Sequence, residues 1–238
     1  MHHIWALTKK ELKTYFNSPI AYVFIVVFLA VGAWLFFRNF FFTGQVTMRA
    51  YFTQLPWLFL FLIPAVTMRL WSEEKKLQTV EVLLTWPVKD WEVVLAKFFA
   101  SLLFLSVAMF FTLSIPLSIG FLGSLDWGII IASYIGALLL ASSYLAIGLW
   151  ISSLTENQII AFILAVVVSF ILFIIGEPLV LDIVPNSIVT LVDFIGMGSH
   201  FESIGRGVLD TRDIIYYLSF IFFFLYMNVR SLEKRKLV

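Results

Sequence analysis

Cysteine is absent from this chain of 238 residues, and charged residues are scarce. Without cysteine the protein can form no disulfide, iron–sulfur cluster or cysteine-ligated zinc site, and it has no thiol nucleophile. Asp, Glu, Lys and Arg make up only 13% of the residues, about half the share in an ordinary soluble domain. The formal net charge is +1, so no overall positive field attracts nucleic acid. A soluble domain and a nucleic-acid-binding domain are both disfavoured.

Common catalytic motifs are also missing. The chain has no G-x-x-x-x-G-K-[ST] loop for ATP, no H-E-x-x-H zinc motif and no G-x-S-x-G nucleophile motif. His200, Glu202, Asp210 and Asp213 lie close in sequence, but their spacing matches no common metal-ligand pattern. We therefore expect no catalytic, metal or cofactor site on this chain, and we expect these four residues to serve packing and helix capping.

Long apolar runs dominate the rest of the sequence, since 61% of the residues are hydrophobic and 18% are aromatic. A helix needs roughly 20 apolar residues to cross a bilayer core of about 30 Å. Runs that lack Asp, Glu, Lys and Arg predict six membrane spans, of which the last is the shortest. The spans are residues 20–37, 50–68, 98–125, 127–154, 157–176 and 214–229. The sequence thus predicts an all-α membrane protein with a single transmembrane domain over residues 1–238.

Basic residues are distributed unevenly between the two sides of this bundle. Twelve of the sixteen Lys and Arg residues fall in the two terminal segments and in the loop at 69–97. Cytoplasmic segments of membrane proteins are enriched in Lys and Arg, so we expect both termini in the cytoplasm and the protein in a cell (inner or plasma) membrane. Five or seven spans would separate the two basic termini, and are therefore less favourable.

The segment at 3–16 predicts an amphipathic helix on the inner membrane surface. Its apolar face consists of Ile4, Trp5, Leu12, Tyr15 and Phe16. Its basic face consists of Lys9, Lys10 and Lys13. Pro19 marks the end of this helix. The pattern suits either a simple membrane anchor or a docking element.

The loop at 69–97 has about thirty residues, where a plain connection needs only a few. Its pattern predicts two short helices, the first with Ser72 as N-cap and ended by Pro87, the second capped by Asp90. Both carry apolar residues at helical spacing and charges of both signs. Such a surface suits a soluble partner, although a helix lying in the lipid interface would show a similar pattern.

The segment at 177–213 is too interrupted by polar residues to cross a bilayer, so it predicts a re-entrant or interfacial helix pair on the outer side. The predicted spans themselves contain almost no ionisable residue. Because such residues usually mark proton or ion pathways, an ion-coupled carrier is disfavoured.

The loop residues resemble the cytoplasmic signature of type 2 ABC exporter permeases, in which R-x-x-x-x-E precedes T-x-E-x-L-L-x-x-P and a helix that ends in Lys. The matching residues are Arg69, Glu74, Thr79, Glu81, Leu83, Leu84, Pro87, Glu92 and Lys97. The stretch HFESIGRGVLDTRDIIYYL at 200–218 looks closest to the gliding-motility permease branch, which is similar to the copper-processing permease of nitrous oxide reductase maturation. Gln78 and Ala96 occupy positions where the family often has Gly.

The resemblance implies a six-span permease that is not itself an enzyme, with ATP bound by a separate ABC ATPase subunit. It also implies a second permease subunit, either another copy of this chain or a related paralogue. The helix from Ser72 to Trp86 would be the coupling helix, and the helix at 3–16 would be the connecting helix beside it. The expected ATPase-coupling residues are Arg69, Glu73, Glu74, Leu77, Thr79, Glu81, Leu84, Pro87 and Lys97.

Two other functions stay open at this stage. The chain would also fit a membrane scaffold or assembly factor that is coupled to an ATPase but transports nothing itself. An intramembrane enzyme is less favoured because the spans lack paired ionisable groups. The sequence does not identify a substrate.

Overall fold

The computed structural model describes residues 2–43, 47–79, 88–185 and 187–235, and within these ranges all regular structure is α-helical. The all-α prediction is thereby confirmed. The helices of the described residues are α1 (His2–Asn17), α2 (Pro19–Thr43), α3 (Arg49–Thr67), α4 (Arg69–Lys76), α5 (Asp90–Thr112), α6 (Ser114–Gly120), α7 (Trp127–Leu154), α8 (Gln158–Ile174), α9 (Pro178–Leu181), α10 (Val189–Ile195), α11 (Met197–Gly205) and α12 (Thr211–Arg235).

Five helical segments of the described chain are long and apolar enough to cross a membrane. They are Pro19–Phe42, Arg49–Lys76, Asp90–Gly120, Trp127–Leu154 and Thr211–Lys234. Each contains or overlaps one of the apolar runs in the sequence. The apolar run at 157–176 corresponds to α8, which has 17 residues and is shorter than the other five.

The sequence makes the run at 157–176 longer than the run at 214–229, but the corresponding helices have the opposite order of length. The run at 214–229 seemed the shortest by sequence, but α12 extends beyond it at both ends and has 25 residues. Asp210 Oδ1 accepts from the backbone N–H of Arg212 at 2.9 Å and so caps the start of this helix at Thr211, and the Asp213 carboxylate in its first turn is paired with His200. By contrast, α8 ends at Ile174, two residues before Gly176, whose backbone approaches that of Gly196 too closely for a side chain on either residue.

Helix α7 lies at the centre of the bundle and packs against α3, α4, α8, α11 and α12. Small residues permit this close packing, as is common between membrane helices. A Cβ atom added to Gly148 would lie 2.1 Å from Thr67 Oγ1, and one added to Gly136 would lie 2.3 Å from Ile204 Cγ2. These two glycines therefore set how closely α3 and α11 approach α7.

The segment at 177–213 forms α9, α10 and α11, none of which is long enough to cross a bilayer. His200 of α11 lies 2.7 Å from the Asp213 carboxylate of α12 and stacks on the ring of Tyr216 at a centroid distance of 3.9 Å. The Tyr217 hydroxyl donates to the Met197 carbonyl at 2.8 Å. His200 thus packs α11 against α12, and no group of three or more His, Cys, Asp or Glu residues in the described ranges is arranged to hold a metal.

We expect Gly148→Ala to lower stability by about 1–3 kcal/mol, because the added methyl group overlaps Thr67 and must push α3 away from α7. The apparent melting temperature of the purified protein in detergent measures this effect. Gly205→Ala is the matched control, since nothing lies within 4 Å of its added Cβ, and it should be neutral or slightly stabilising. Equal melting temperatures for the two variants would contradict the close α3–α7 contact.

Candidate functional site

A buried lysine joins three helices at the end of the bundle that holds α1 and α4. Lys97 of α5 has only 1% of its side chain exposed, and its Nζ lies 2.6 Å from Glu74 Oε1 in α4 and 3.1 Å from Glu11 Oε1 in α1. The same ammonium lies 5.0 Å from the centre of the Trp71 ring, within cation–π range. We call Lys97, Glu11, Glu74 and Trp71 the Lys97 junction.

The charges of the Lys97 junction do not balance. Two carboxylates face one ammonium, and Glu74 Oε2 is a buried acceptor without a hydrogen-bond partner. Transfer of a charged group out of water costs several kcal/mol unless a partner compensates it. Lys97 is therefore the residue on which both glutamates depend, and its loss would leave two like charges close together in a poorly solvated site.

Helix α1 is fixed to α5 by further contacts along the same face. The Thr8 hydroxyl donates to the Ala96 carbonyl at 3.4 Å, and the Tyr15 hydroxyl lies 2.9 Å from Ser101 Oγ. Burial raises the pKa of Tyr15 above its ordinary value. On the predicted apolar face of α1, Trp5 is 65% exposed, whereas the Tyr15 hydroxyl is hydrogen-bonded within the protein. The face of α1 that packs against the protein thus carries polar residues that pair inside it.

Helix α4 is capped by a serine from another helix. The first N–H groups of any helix lack partners within that helix, and Met68 before α4 provides no side-chain cap. Instead Ser152 Oγ of α7 accepts from the backbone N–H groups of Trp71 at 3.1 Å and Ser72 at 3.2 Å, and it donates to the Met68 carbonyl at 3.0 Å. The Lys75 ammonium donates to the Ser153 carbonyl. Helix α4 is therefore held to the end of α7.

The predicted bounds of the coupling helix were wrong in the part that the structure describes. It was expected to begin at Ser72, but α4 begins at Arg69, because Ser152 supplies the cap, and Ser72 is buried within the helix. It was expected to continue to Trp86, but α4 ends at Lys76. Gln78, two residues later, has φ of 57°, a conformation that suits glycine far better than glutamine. This is one of the two positions where the family often has Gly.

The start of α5 also differs from the prediction. Asp90 was expected to be its N-cap, but the N-cap residue is Lys89 and Asp90 is the first residue of the helix. The backbone N–H of Lys89 donates to Glu92 Oε2 at 3.1 Å. The carboxylate that caps this helix end is therefore that of Glu92, the third residue after the N-cap. This contact is one half of a capping box.

Five of the nine predicted coupling residues surround one cavity of about 230 Å³. They are Arg69, Glu73, Glu74, Leu77 and Lys97. Thr79 lies just beyond, where its hydroxyl donates to the Glu74 carbonyl at 3.2 Å. Glu81, Leu84 and Pro87 lie outside the described residues. Although the signature residues are up to 28 positions apart in sequence, most of those described therefore meet in space.

Sequence reasoning missed Glu11, Trp71 and Ser152 as members of this site. Glu11 lies in the predicted surface helix at 3–16, and nothing local distinguishes it from a solvated glutamate. Ser152 lies in an apolar span, where small residues usually indicate helix packing. The one available signal was the position of Lys97 directly before an apolar run, and this position does not identify the helices that supply its acidic partners.

We expect Lys97→Met to destabilise the protein by roughly 3 kcal/mol, because it leaves Glu11 and Glu74 without their shared cation. Combining Lys97→Met with Glu11→Gln and Glu74→Gln removes the stranded charges and should recover at least half of the loss. Apparent melting temperatures of both variants in one detergent provide the comparison. A triple variant no more stable than Lys97→Met would show that the three charges are not coupled.

Ser152→Ala should loosen α4 at a cost of about 1–2 kcal/mol, the usual effect of removing a helix N-cap. Hydrogen exchange at the α4 amides, followed by mass spectrometry, should become faster while exchange in α12 stays the same. Ser106→Ala is the matched control, because the Ser106 hydroxyl donates only to Leu102 of its own helix. Unchanged exchange in α4 would contradict capping by Ser152.

Comparison with known proteins identifies the family of this chain. The family model described as ABC-2 family transporter protein matches residues 5–221, which includes most of α1 and the whole of the Lys97 junction. A search of curated proteins finds no match. Members of the family are membrane transport components that work with an ABC ATPase and are generally not catalytic themselves. The chain belongs to the ABC-2 family of transporter proteins, as a multi-pass membrane permease component of an ABC transporter.

Proposed function

We propose that this chain is the permease subunit of an ATP-driven exporter and that the Lys97 junction couples its spans to the ATPase subunit, which binds the ATP. The observation that supports this proposal is the single buried ammonium of Lys97 between Glu11 of α1 and Glu74 of α4. A coupling device must transmit motion from a soluble motor to the spans without deforming. A shared buried ion pair joins the two amphipathic helices to a span in this way.

Motion would reach the bundle through two connections. Lys97 ties α1 and α4 to α5, and Ser152 ties α4 to α7, the central helix. A partner that displaces α4 must therefore also displace α5 and α7, since packed helices shift as rigid elements rather than deform continuously. ATP-driven closure of the ATPase dimer would tilt these spans and open a pathway to the outside.

The membrane arrangement that we propose has six spans and both termini in the cytoplasm. Helix α8 provides the remaining span, because its 17 residues reach about 26 Å at 1.5 Å per residue. A bilayer accommodates such a short helix by local thinning. The basic residues near α1, α4 and the end of α12 then lie on the cytoplasmic side, as the positive-inside bias requires.

A second permease subunit, either another copy of this chain or a paralogue, would complete the transport pathway. This pairing follows from the resemblance to type 2 exporters, as does the assignment to the branch of gliding-motility and copper-processing permeases. The ATPase would dock on α4, the adjoining segment to Pro87 and the exposed side of α1. Glu81, Leu84 and Pro87 belong to the proposed docking segment on sequence grounds alone.

Leu77 offers a direct test of the docking surface. Its side chain is 64% exposed at the end of α4. Exposure of a large apolar side chain to water is unfavourable, so a partner that covers Leu77 would gain binding energy. We expect Leu77→Asp to reduce co-purification of the ATPase subunit at least tenfold, because it places a charge in an apolar contact. Affinity purification of the tagged permease together with the ATPase measures the loss.

Val208→Asp is the matched control for this experiment. Val208 is 58% exposed in the loop before α12, at the opposite end of that helix from its basic terminus. The variant should retain the ATPase at the wild-type level, and both variants should insert into membranes normally. Retention of the ATPase by Leu77→Asp, or equal loss in both variants, would contradict docking at the end of α4.

A further inference from the structure

A cleft between α1, α2 and α3 consists of two adjoining cavities of opposite character. The first, of about 220 Å³, is apolar and is lined by side chains such as Val23 of α2 and Leu62 of α3. The second is the polar cavity of about 230 Å³ beside the Lys97 junction. Tyr15, Val66 and Arg69 line both cavities. We call the combined space the α1–α3 cleft.

In the membrane arrangement proposed above, the α1–α3 cleft runs from the apolar layer of the membrane to its surface. Its apolar part lies between the first turns of α2, which starts at Pro19, and the last turns of α3, which ends at Thr67. Its polar part lies beside α1 and α4, which carry most of the nearby charge. The cleft therefore has an apolar end at bilayer depth and a polar end at the surface, which is the polarity profile of a phospholipid.

The polar end presents one cation and one anion that are not committed to the Lys97 junction. Arg69 Nε and Glu73 Oε2 lie 3.6 Å apart, and their side chains are 29% and 46% exposed. An exposed pair at this distance contributes little to stability, so a ligand can replace it at small cost. The guanidinium of Arg69 suits a phosphate group, which it can bind with two parallel hydrogen bonds.

The anionic side of the polar cavity suits a group that donates hydrogen bonds. Glu73 and Glu74 both line this cavity, and the Glu73 side chain is 46% exposed, so its carboxylate is open to a ligand. A primary ammonium has three N–H donors, whereas a trimethylammonium group has none. With a phosphate at Arg69, the complementary headgroup is a zwitterion whose positive group is a primary ammonium.

We propose that the α1–α3 cleft binds one phospholipid of the phosphatidylethanolamine type. An acyl chain occupies the apolar cavity, the phosphate binds Arg69, and the ammonium lies against Glu73. An anionic headgroup is less suitable, because the three glutamates of the polar cavity outnumber Arg69 and Lys97. The bound lipid contacts α1, α2 and α3 at once, so it stabilises the position of α1 beside the Lys97 junction.

The test uses the purified full-length chain in detergent without any ATPase, so that it is independent of the transport function. Phosphatidylethanolamine, phosphatidylcholine and phosphatidylglycerol with the same acyl chains are added separately, and lipid retention is measured by native mass spectrometry. We expect phosphatidylethanolamine to be retained at least tenfold more than either of the other lipids. It should also raise the apparent melting temperature, whereas phosphoethanolamine without acyl chains should not.

Two variants address the two ends of the cleft. Arg69→Gln removes the phosphate contact, and Ala65→Phe fills the apolar cavity that Ala65 lines. Each should abolish the preference for phosphatidylethanolamine while the melting temperature without lipid stays near that of the wild type. Matched controls are Arg38→Gln and Val167→Phe, which lie outside the cleft and face away from the core, and both should keep the preference.

Four results would overturn the proposal. Equal retention of phosphatidylethanolamine and phosphatidylcholine would exclude recognition of the ammonium, and a preference for phosphatidylglycerol would exclude a zwitterion. Full stabilisation by phosphoethanolamine alone would exclude the acyl chain. Unchanged retention by both Arg69→Gln and Ala65→Phe would place the lipid elsewhere on the protein.

Discussion

The ammonium of Lys97 is the constraint on which the arrangement of α1, α4 and α5 depends. An ion that is 1% exposed must be neutralised nearby, and the two groups that do so come from helices with little stability of their own. Helix α4 has only eight residues, far fewer than an isolated helix needs in water. Its place is set by Glu74 on one side and by the cap from Ser152 on the other. Without the buried cation, α1 and α4 would lose the one ion that they share with α5, and only their separate hydrogen bonds would hold them to the bundle.

The bundle itself is held together in a different way. Lipid is as apolar as the side chains of the spans, so close packing takes the place of the hydrophobic effect between membrane helices. Gly136 and Gly148 of α7 allow α11 and α3 to approach, and the His200–Asp213 pair closes the opposite end of the molecule. The structure therefore combines a tightly packed apolar interior with two polar clusters, one at each end. A displacement of α1 or α4 at the Lys97 junction would therefore shift whole helices of the bundle.

Several features could be predicted from sequence because they depend on local pattern. The apolar runs predicted the positions of the long helices. The signature from Arg69 to Lys97 indicated the ABC-2 transporter family, which the family model also identifies. Helix ends were predicted less well. Ser72 has the chemistry of an N-cap but lies inside α4, because the hydroxyl of Ser152, 80 residues away, provides the cap instead. The run at 157–176 is longer than the run at 214–229, yet α8 has 17 residues and α12 has 25.

Composition and periodicity alone determined that this is an all-α membrane protein, because each span must satisfy its own backbone hydrogen bonds and bury its apolar side chains in lipid. The same reading showed that charges concentrate in the loop at 69–97. Only the tertiary structure decided how those charges are used. Glu74 and Glu11 lie 23 and 86 residues from Lys97 in sequence, and no local pattern selects these partners among fifteen acidic residues. The packing of three helices brings them together, since a buried ammonium is stable only where the fold supplies carboxylates to it.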